Sequence, residues 1–149
     1  MNTPLPPCTG SSLGLLFRHL RDAMWAQMER ELVRAGHDLT FSQFVTIKKL
    51  AGGIASVTDL ARAAELNPGA MTRLLDRLEI KGLIERVADP GDRRALHIHL
   101  TDAGTAIWRD IEQCGQRVHD QAFGDMPQAE RDELLRLLER VRDNLTMED

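Results

Sequence analysis

The sequence predicts a mainly α-helical fold with one small β-hairpin, and three observations carry that expectation. Apolar residues recur every three or four positions through most of the chain, the spacing of helices buried along one face. One stretch, Leu96–Leu100, alternates strictly and follows an Asp-Pro-Gly turn, as a hairpin strand should. Capping residues and glycines separate these segments. The 149 residues suit one domain, and 42% hydrophobic with 28% charged residues excludes a disordered chain.

Residues 1–10, with Pro4, Pro6 and Pro7, read as a flexible tail because they contain no periodic apolar pattern. A first helix is expected from Ser11 or Ser12, a capping hydroxyl, with Leu13, Leu16, Leu20, Met24, Met28 and Leu32 as its stripe and Gly36 as its stop. Thr40-Phe41-Ser42-Gln43 is a capping box for a second helix, whose Phe44, Ile47, Leu50 and Ala51 face inward. Ser56 caps a short third helix with Val57, Leu60, Ala61 and Ala64 inside. Asn67 caps a fourth, in which Pro68 takes the first position, where a missing N–H costs nothing, and Gly82 ends it.

Strands follow at Leu83–Ala88 and Leu96–Leu100, joined by Asp89-Pro90-Gly91-Asp92-Arg93-Arg94. Thr101 caps a fifth helix with Ile107, Ile111, Cys114, Val118 and Ala122 in register. Pro127 opens a sixth, with Leu134, Leu138, Val141 and Leu145 as its spine. Helices two to four and the hairpin make one small unit. The other three helices keep apolar stripes longer than that unit can cover, so a two-fold dimer built from the chain ends is the simplest cover.

Charge separates along the chain. Residues 43–94 hold nine Lys/Arg against seven Asp/Glu, a net of +2, and the remainder holds ten against sixteen, a net of −6. A locally basic middle can steer a polyanion even in an acidic protein. At about 100° per residue, Met71, Leu74, Leu75 and Leu78 share the core face of the fourth helix. Gly69, Thr72, Arg73, Asp76 and Arg77 lie opposite. Small residues near the start and two arginines a turn apart suit a helix entering the DNA major groove. A short helix, a tight turn and a helix opening Asn-Pro-Gly form a helix-turn-helix pattern. The arginine pair at the hairpin tip can reach sugar-phosphate or a narrow minor groove, with Asp92 gripping one arginine bidentately while the other extends. From each segment alone, an amphipathic surface helix and a solvated turn are the alternatives.

Val57-Thr58-Asp59-Leu60-Ala61, the run Met71–Arg86 (MTRLLDRLEIKGLIER), Asp89–Arg94 (DPGDRR) and Leu100–Gly104 (LTDAG) together resemble, in order and spacing, the signature of MarR-family transcriptional regulators. That resemblance implies a winged helix-turn-helix fold with N- and C-terminal dimerisation helices. The chain would then divide into a tail (1–10), an N-terminal dimerisation helix (11–39), a DNA-binding lobe (40–100) and C-terminal dimerisation helices (101–149). It implies a homodimer on a pseudo-palindromic operator, with the helix cap Asn67 together with Gly69, Ala70, Thr72, Arg73 and Arg77 as DNA contacts, in the major groove and on phosphate. Arg93 and Arg94 would belong to the wing, with Asp92 organising it.

Family members bind aromatic or phenolic acids in a cleft between the dimerisation helices and the lobe. By that resemblance Met24, Trp25, Met28, Phe44 and Ile47 would line the cleft, and Arg18, His19 or Arg21 would pair a carboxylate; plain core filling is the alternative. Urate-responsive relatives suggest roles for Trp25 and Asp76. Hydroperoxide-sensing relatives hold an N-terminal cysteine with tyrosines; Cys8 is near the N-terminus, but the chain has no tyrosine. Cys114, on an apolar stripe, reads as a buried inert thiol. His97 and His99 share a strand face without a third ligand at tetrahedral-site spacing, so they read as solvated wing histidines rather than a zinc site.

The expectation is therefore a dimeric repressor released by a small aromatic or phenolic effector. The alternatives are redox control through Cys8 and a winged-helix protein-interaction adaptor. No cofactor loop or nucleophile–base pair points to an enzyme. No apolar run reaches the roughly 18–20 residues of a membrane span, no charged-then-apolar leader opens the chain, and two cysteines give no disulfide framework, which together indicate the cytoplasm.

Overall fold

Among the described residues, six helices and one antiparallel hairpin follow one another in the order α1 (Thr9–Arg34), α2 (Phe41–Ala51), α3 (Val57–Ala63), α4 (Pro68–Ile80), β1 (Ile84–Asp89), β2 (Asp92–Leu100), α5 (Asp102–Phe123) and α6 (Gln128–Thr146). The computed structural model describes residues 9–53 and 55–147, and within them every side chain except those of residues 9–11 and 93. Helix α1 already runs at Thr9, so the start expected at Ser11 or Ser12 falls inside it. It ends as the sequence indicates. Gly36 takes φ +84°, and the N–H groups of Gly36 and His37 return to the carbonyls of Val33 and Leu32.

The caps predicted for α2, α3 and α4 form. Thr40 Oγ1 accepts from the Gln43 N–H at 3.2 Å while Gln43 Oε1 accepts from the Thr40 N–H at 3.1 Å. Ser56 and Asn67 cap α3 and α4 one way only, their side chains accepting from the N–H groups of Asp59 and Ala70. The turn between those two helices contains Glu65 at φ +54°, a conformation an L side chain adopts at a cost.

Two cores result. Leu60, Met71, Leu75, Leu78, Ile84 and Ile98 centre the lobe; Met28, Leu32, Ile47, Ile111, Cys114 and Val118 centre the layer of α1, α2 and α5. Helix α2 belongs to both, through Leu50 and Ile47 respectively, and Leu100 and Ile107 pack against each. Helix α1 is further tied to α5 by Arg117, whose Nε lies 2.6 Å from Glu31 Oε2; with Arg34, it holds that carboxyl below the usual carboxylate range.

The hairpin differs from its expected bounds. Past Ala88–Leu96 the register shifts and Asp89 pairs with Asp92 across Pro90-Gly91, so both arginines lie in β2, at an irregular step without ladder partners, instead of in a long turn. Ala55, just ahead of α3, bridges Ile98 through two backbone bonds of 2.9 and 3.2 Å and locks the wing to the helix-turn-helix.

The corner between α4, the wing and α5 explains the Leu-Thr-Asp-Ala-Gly run. Thr101 Oγ1 donates to the Gly82 carbonyl at 2.6 Å and accepts from the Gly104 N–H at 3.1 Å. Gly104 is buried so tightly that an added Cβ would collide with the Leu83 carbonyl oxygen. Because backbone cannot swing aside as a side chain can, Gly104→Ala is expected to destabilise the fold by about 2 kcal/mol. Denaturant midpoints at matched protein concentration check this; an unchanged midpoint would mean that α5 shifts freely.

Helix α6 buries no residue. Leu134 and Leu145 of its expected spine are 39% and 81% exposed, and Ala122 at the end of the α5 stripe is exposed as well. On α1, Leu13, Leu16, Leu20 and Met24 are about half exposed, because α5 covers only its C-terminal half.

Candidate functional site

Helix α4 is amphipathic by construction. Met71, Leu75 and Leu78 have no exposure and Leu74 only 8%, which fixes the opposite face outward. That face has two unlike flanks. On the wing side, Arg86 Nη2 lies 2.6 Å from Asp76 Oδ1 and its Nε 3.7 Å from Glu79, so one arginine neutralises both acids of the helix. On the α2 side, Ala70, Arg73 and Arg77 form a stripe. Among the described residues, the guanidinium groups of Arg73, Arg77 and Arg94 have no partner. Outside the lobe, arginines such as Arg34, Arg117, Arg136 and Arg142 are engaged by carboxylates at 2.6–2.9 Å. The outward surface of α4 is therefore cationic, although its sequence alone is nearly balanced.

The smaller residues of the helix start have defined duties. Asn67 Oδ1 accepts from the Ala70 N–H at 2.8 Å, leaving its amide NH₂ outward. The Thr72 hydroxyl donates to the Pro68 carbonyl at 2.9 Å and keeps its lone pairs and methyl group available. A Cβ on Gly69 would make only ordinary contact with Asn67, so the fold itself does not require glycine there.

At the wing tip, two aspartates shape the backbone. Asp89 accepts from the Gly91 N–H at 2.8 Å and lies 2.9 Å from His97 Nε2, which holds its carboxyl below the usual range. Asp92 Oδ1 accepts from the backbone N–H of Arg94 at 2.9 Å. Asp92 thus orders the chain through a main-chain contact to Arg94 instead of gripping that guanidinium; the Arg93 side chain lies outside the described residues. Neither strand histidine is simply solvated, because His99 Nε2 is 3.0 Å from Glu85 in the same cross-strand manner. Among the described residues, no three His, Cys, Asp or Glu side chains gather into a metal-binding group. No described helix is long and apolar enough to cross a membrane.

A second feature is an open cleft of about 380 Å³ between α1, α2 and α5. Arg21, Met24, Trp25, Met28 and Phe44 border it, joined by Phe41, Lys48, Trp108, Glu112 and His119. Trp25 meets Phe41 edge-on at 5.0 Å and Phe44 at 5.4 Å, and Lys48 Nζ stands 6.0 Å above the Phe44 ring. Three expected lining residues are elsewhere. Ile47 has no exposure and packs in the core; Arg18 lies 3.9 Å from Asp22 on an earlier turn of α1, beyond the cover of α2 and α5; exposed His19 does not border the cleft. Lys48 was missed because it sits off the apolar stripe of α2, where periodicity assigns a residue to solvent. Arg86 had a readable signal: two residues after Ile84, it lies on the strand face that packs against α4.

Cys114 is fully buried, and burial pushes its thiol up although Arg117 Nη2 approaches the sulfur at 3.3 Å; a thiol held protonated is a poor nucleophile. Cys8 lies outside the described residues.

Comparison with known proteins places these features in context. The model of the MarR family matches residues 39–96. The HTH-type transcriptional repressor NicR of Pseudomonas putida is 30% identical over 107 residues, covering 71% of this chain and 68% of that protein. The multiple antibiotic resistance protein MarR of Salmonella typhimurium is 40% identical over 81 residues, 54% of each chain. Among solved structures, NadR in complex with 4-hydroxyphenylacetate superposes with a TM-score of 0.76 at 25% identity, covering 99% of this chain and all of that one.

Proposed function

Because this chain belongs to the MarR family of transcriptional regulators, we propose that it acts as a homodimer that represses from a pseudo-palindromic DNA operator and is released when a small aromatic anion fills the α1–α2–α5 cleft. It is a regulator and not an enzyme. The observation that carries the DNA-binding reading is the outward face of α4, where Arg73 and Arg77 are unpartnered while Asp76 and Glu79 are neutralised by Arg86, together with unpartnered Arg94 at the wing. An unneutralised guanidinium on a rigid element is a phosphate or base-edge ligand without an internal competitor. Asn67, Gly69, Ala70 and Thr72 complete the major-groove surface, and Arg93 joins Arg94 on the wing. Dimerisation through segments 11–39 and 101–149 would cover the exposed leucines of α1 and α6, leaving 40–100 as the DNA-binding lobe. Two-fold symmetry then sets half-sites about 10 base pairs apart or a multiple of that. Fluorescence anisotropy on the DNA upstream of its own gene tests the reading: affinity should fall steeply with salt. A folded dimer that ignores this DNA at low salt would overturn it.

For the effector, Lys48 joins Arg21, of the expected Arg18, His19 or Arg21, as an anion-binding group, with His119 nearby and Trp25 and Phe44 as ring walls. NadR's complex with 4-hydroxyphenylacetate supports an aromatic acid. With 4-hydroxyphenylacetate as the first probe, Lys48→Met should raise the concentration that releases DNA by about tenfold, the loss of one charge-assisted hydrogen bond. Ligand-free DNA affinity should stay unchanged; equal release curves for both proteins would remove Lys48 from the site.

A further inference from the structure

The α2-side flank of α4 is one wall of a groove of about 320 Å³. Arg73 and Arg77 stand on that wall, Thr40, Ser42 and Gln43 on the other, and Leu66 and Leu74 complete it. Gln43 is committed to the capping box. The Thr40 hydroxyl accepts from Gln43 and retains its proton for an outside acceptor. The Ser42 hydroxyl and both guanidinium groups have no partner among the described residues. No carboxylate lines the groove. Two free cations facing hydroxyl donors, with no acid between them, are complementary to a single oxyanion.

We propose that this groove seats one backbone phosphate of duplex DNA in each half-site, with Ser42 of α2 as a positioning residue for DNA binding. The inference rests on the DNA-binding reading above. Its consequence is a recognition helix held from both sides, by the wing beyond Arg86 and by α2 across the groove, which fixes the depth and register at which α4 meets the bases. A phosphate contact carries no base information, so its loss must weaken all duplexes alike.

The test uses the full-length protein and two duplexes, one that it selects from a randomised pool and one of scrambled sequence. Ser42→Glu introduces a like charge into the seat and suits a helix, glutamate being the better helix former. It should weaken binding to both duplexes by the same factor, roughly tenfold or more. Arg77→Ala should lower the slope of log affinity against log salt by about one per protomer. Neutral methylphosphonates placed one at a time in the selected duplex should reveal one phosphate per half-site whose neutralisation restores binding of Ser42→Glu. A misfolded variant could not be rescued in that way. If wild type binds and Arg94→Ala weakens it, but Ser42→Glu binds both duplexes within about twofold of wild type or no neutralised phosphate rescues it, the seat is wrong and the DNA-binding reading stands. Failure of wild type to bind either duplex would overturn both.

Discussion

Arg94→Ala is expected to weaken operator binding by roughly 30-fold or more, about 2–6 kcal/mol per operator, because each operator would lose two guanidinium contacts worth about 1–3 kcal/mol apiece. The magnitude depends on preorganisation. Arg94 starts from a strand whose tip is fixed by the Asp92–Arg94 backbone contact and by Asp89, bonded both to the Gly91 N–H and to His97. Little chain entropy is therefore lost on binding. The guanidinium has no internal carboxylate to give up, so its attraction to DNA is not offset by a broken ion pair. Since the side chain is exposed, thermal stability should remain that of wild type. Anisotropy titrations at fixed salt measure the effect; a loss below about threefold would place the wing away from DNA.

Leu75→Ala should be the most damaging single change to the fold, at about 3 kcal/mol within the usual range for buried leucine. Leu75 has no exposure and sits mid-helix between Met71 and Leu78, facing the lobe core that includes Leu60, Ile84 and Ile98. Truncation leaves a cavity where α3, α4 and the hairpin converge, three elements that cannot close on it together. Urea unfolding at one protein concentration tests the prediction, since the midpoint of the proposed dimer would depend on concentration. A cost under about 1 kcal/mol would mean that the lobe core collapses readily around the gap. At temperatures where the variant remains folded, its DNA affinity should stay near wild type, because the outward arginines are untouched.

The features legible in the sequence are those set by neighbours in the chain. The Thr40–Gln43 box, the Asn67-Pro68 start, the Thr101 cap and the two faces of α4 all involve residues within a turn or two of each other, where periodicity and capping chemistry act. What escaped depends on separate elements meeting. The Ala55–Ile98 bridge is a single pair, too short to leave an alternating pattern. Arg86 reaches back ten residues to Asp76, and the histidines of β2 find acids on β1, so charges that look free along the chain are neutralised across it. The cleft is lined from three helices; facing one helix at a time correctly placed Trp25 and Phe44 beside it but misplaced Ile47, which looks into the core, and overlooked Lys48 and Trp108. The strands outran their expected ends because Asp89 and Asp92 pair across Pro90-Gly91.

The double membership of α2 has a practical result for protein engineers. Ile47 and Leu50 stand less than one turn apart yet anchor different cores, so no clean seam exists between the α1–α2–α5 layer and the lobe. A chimaera that grafts this lobe onto another regulator's dimer scaffold cannot be spliced within α2 without mismatching one side. The transplantable unit is the lobe, with α2 kept whole, together with the scaffold residues that pack in the same core as Ile47.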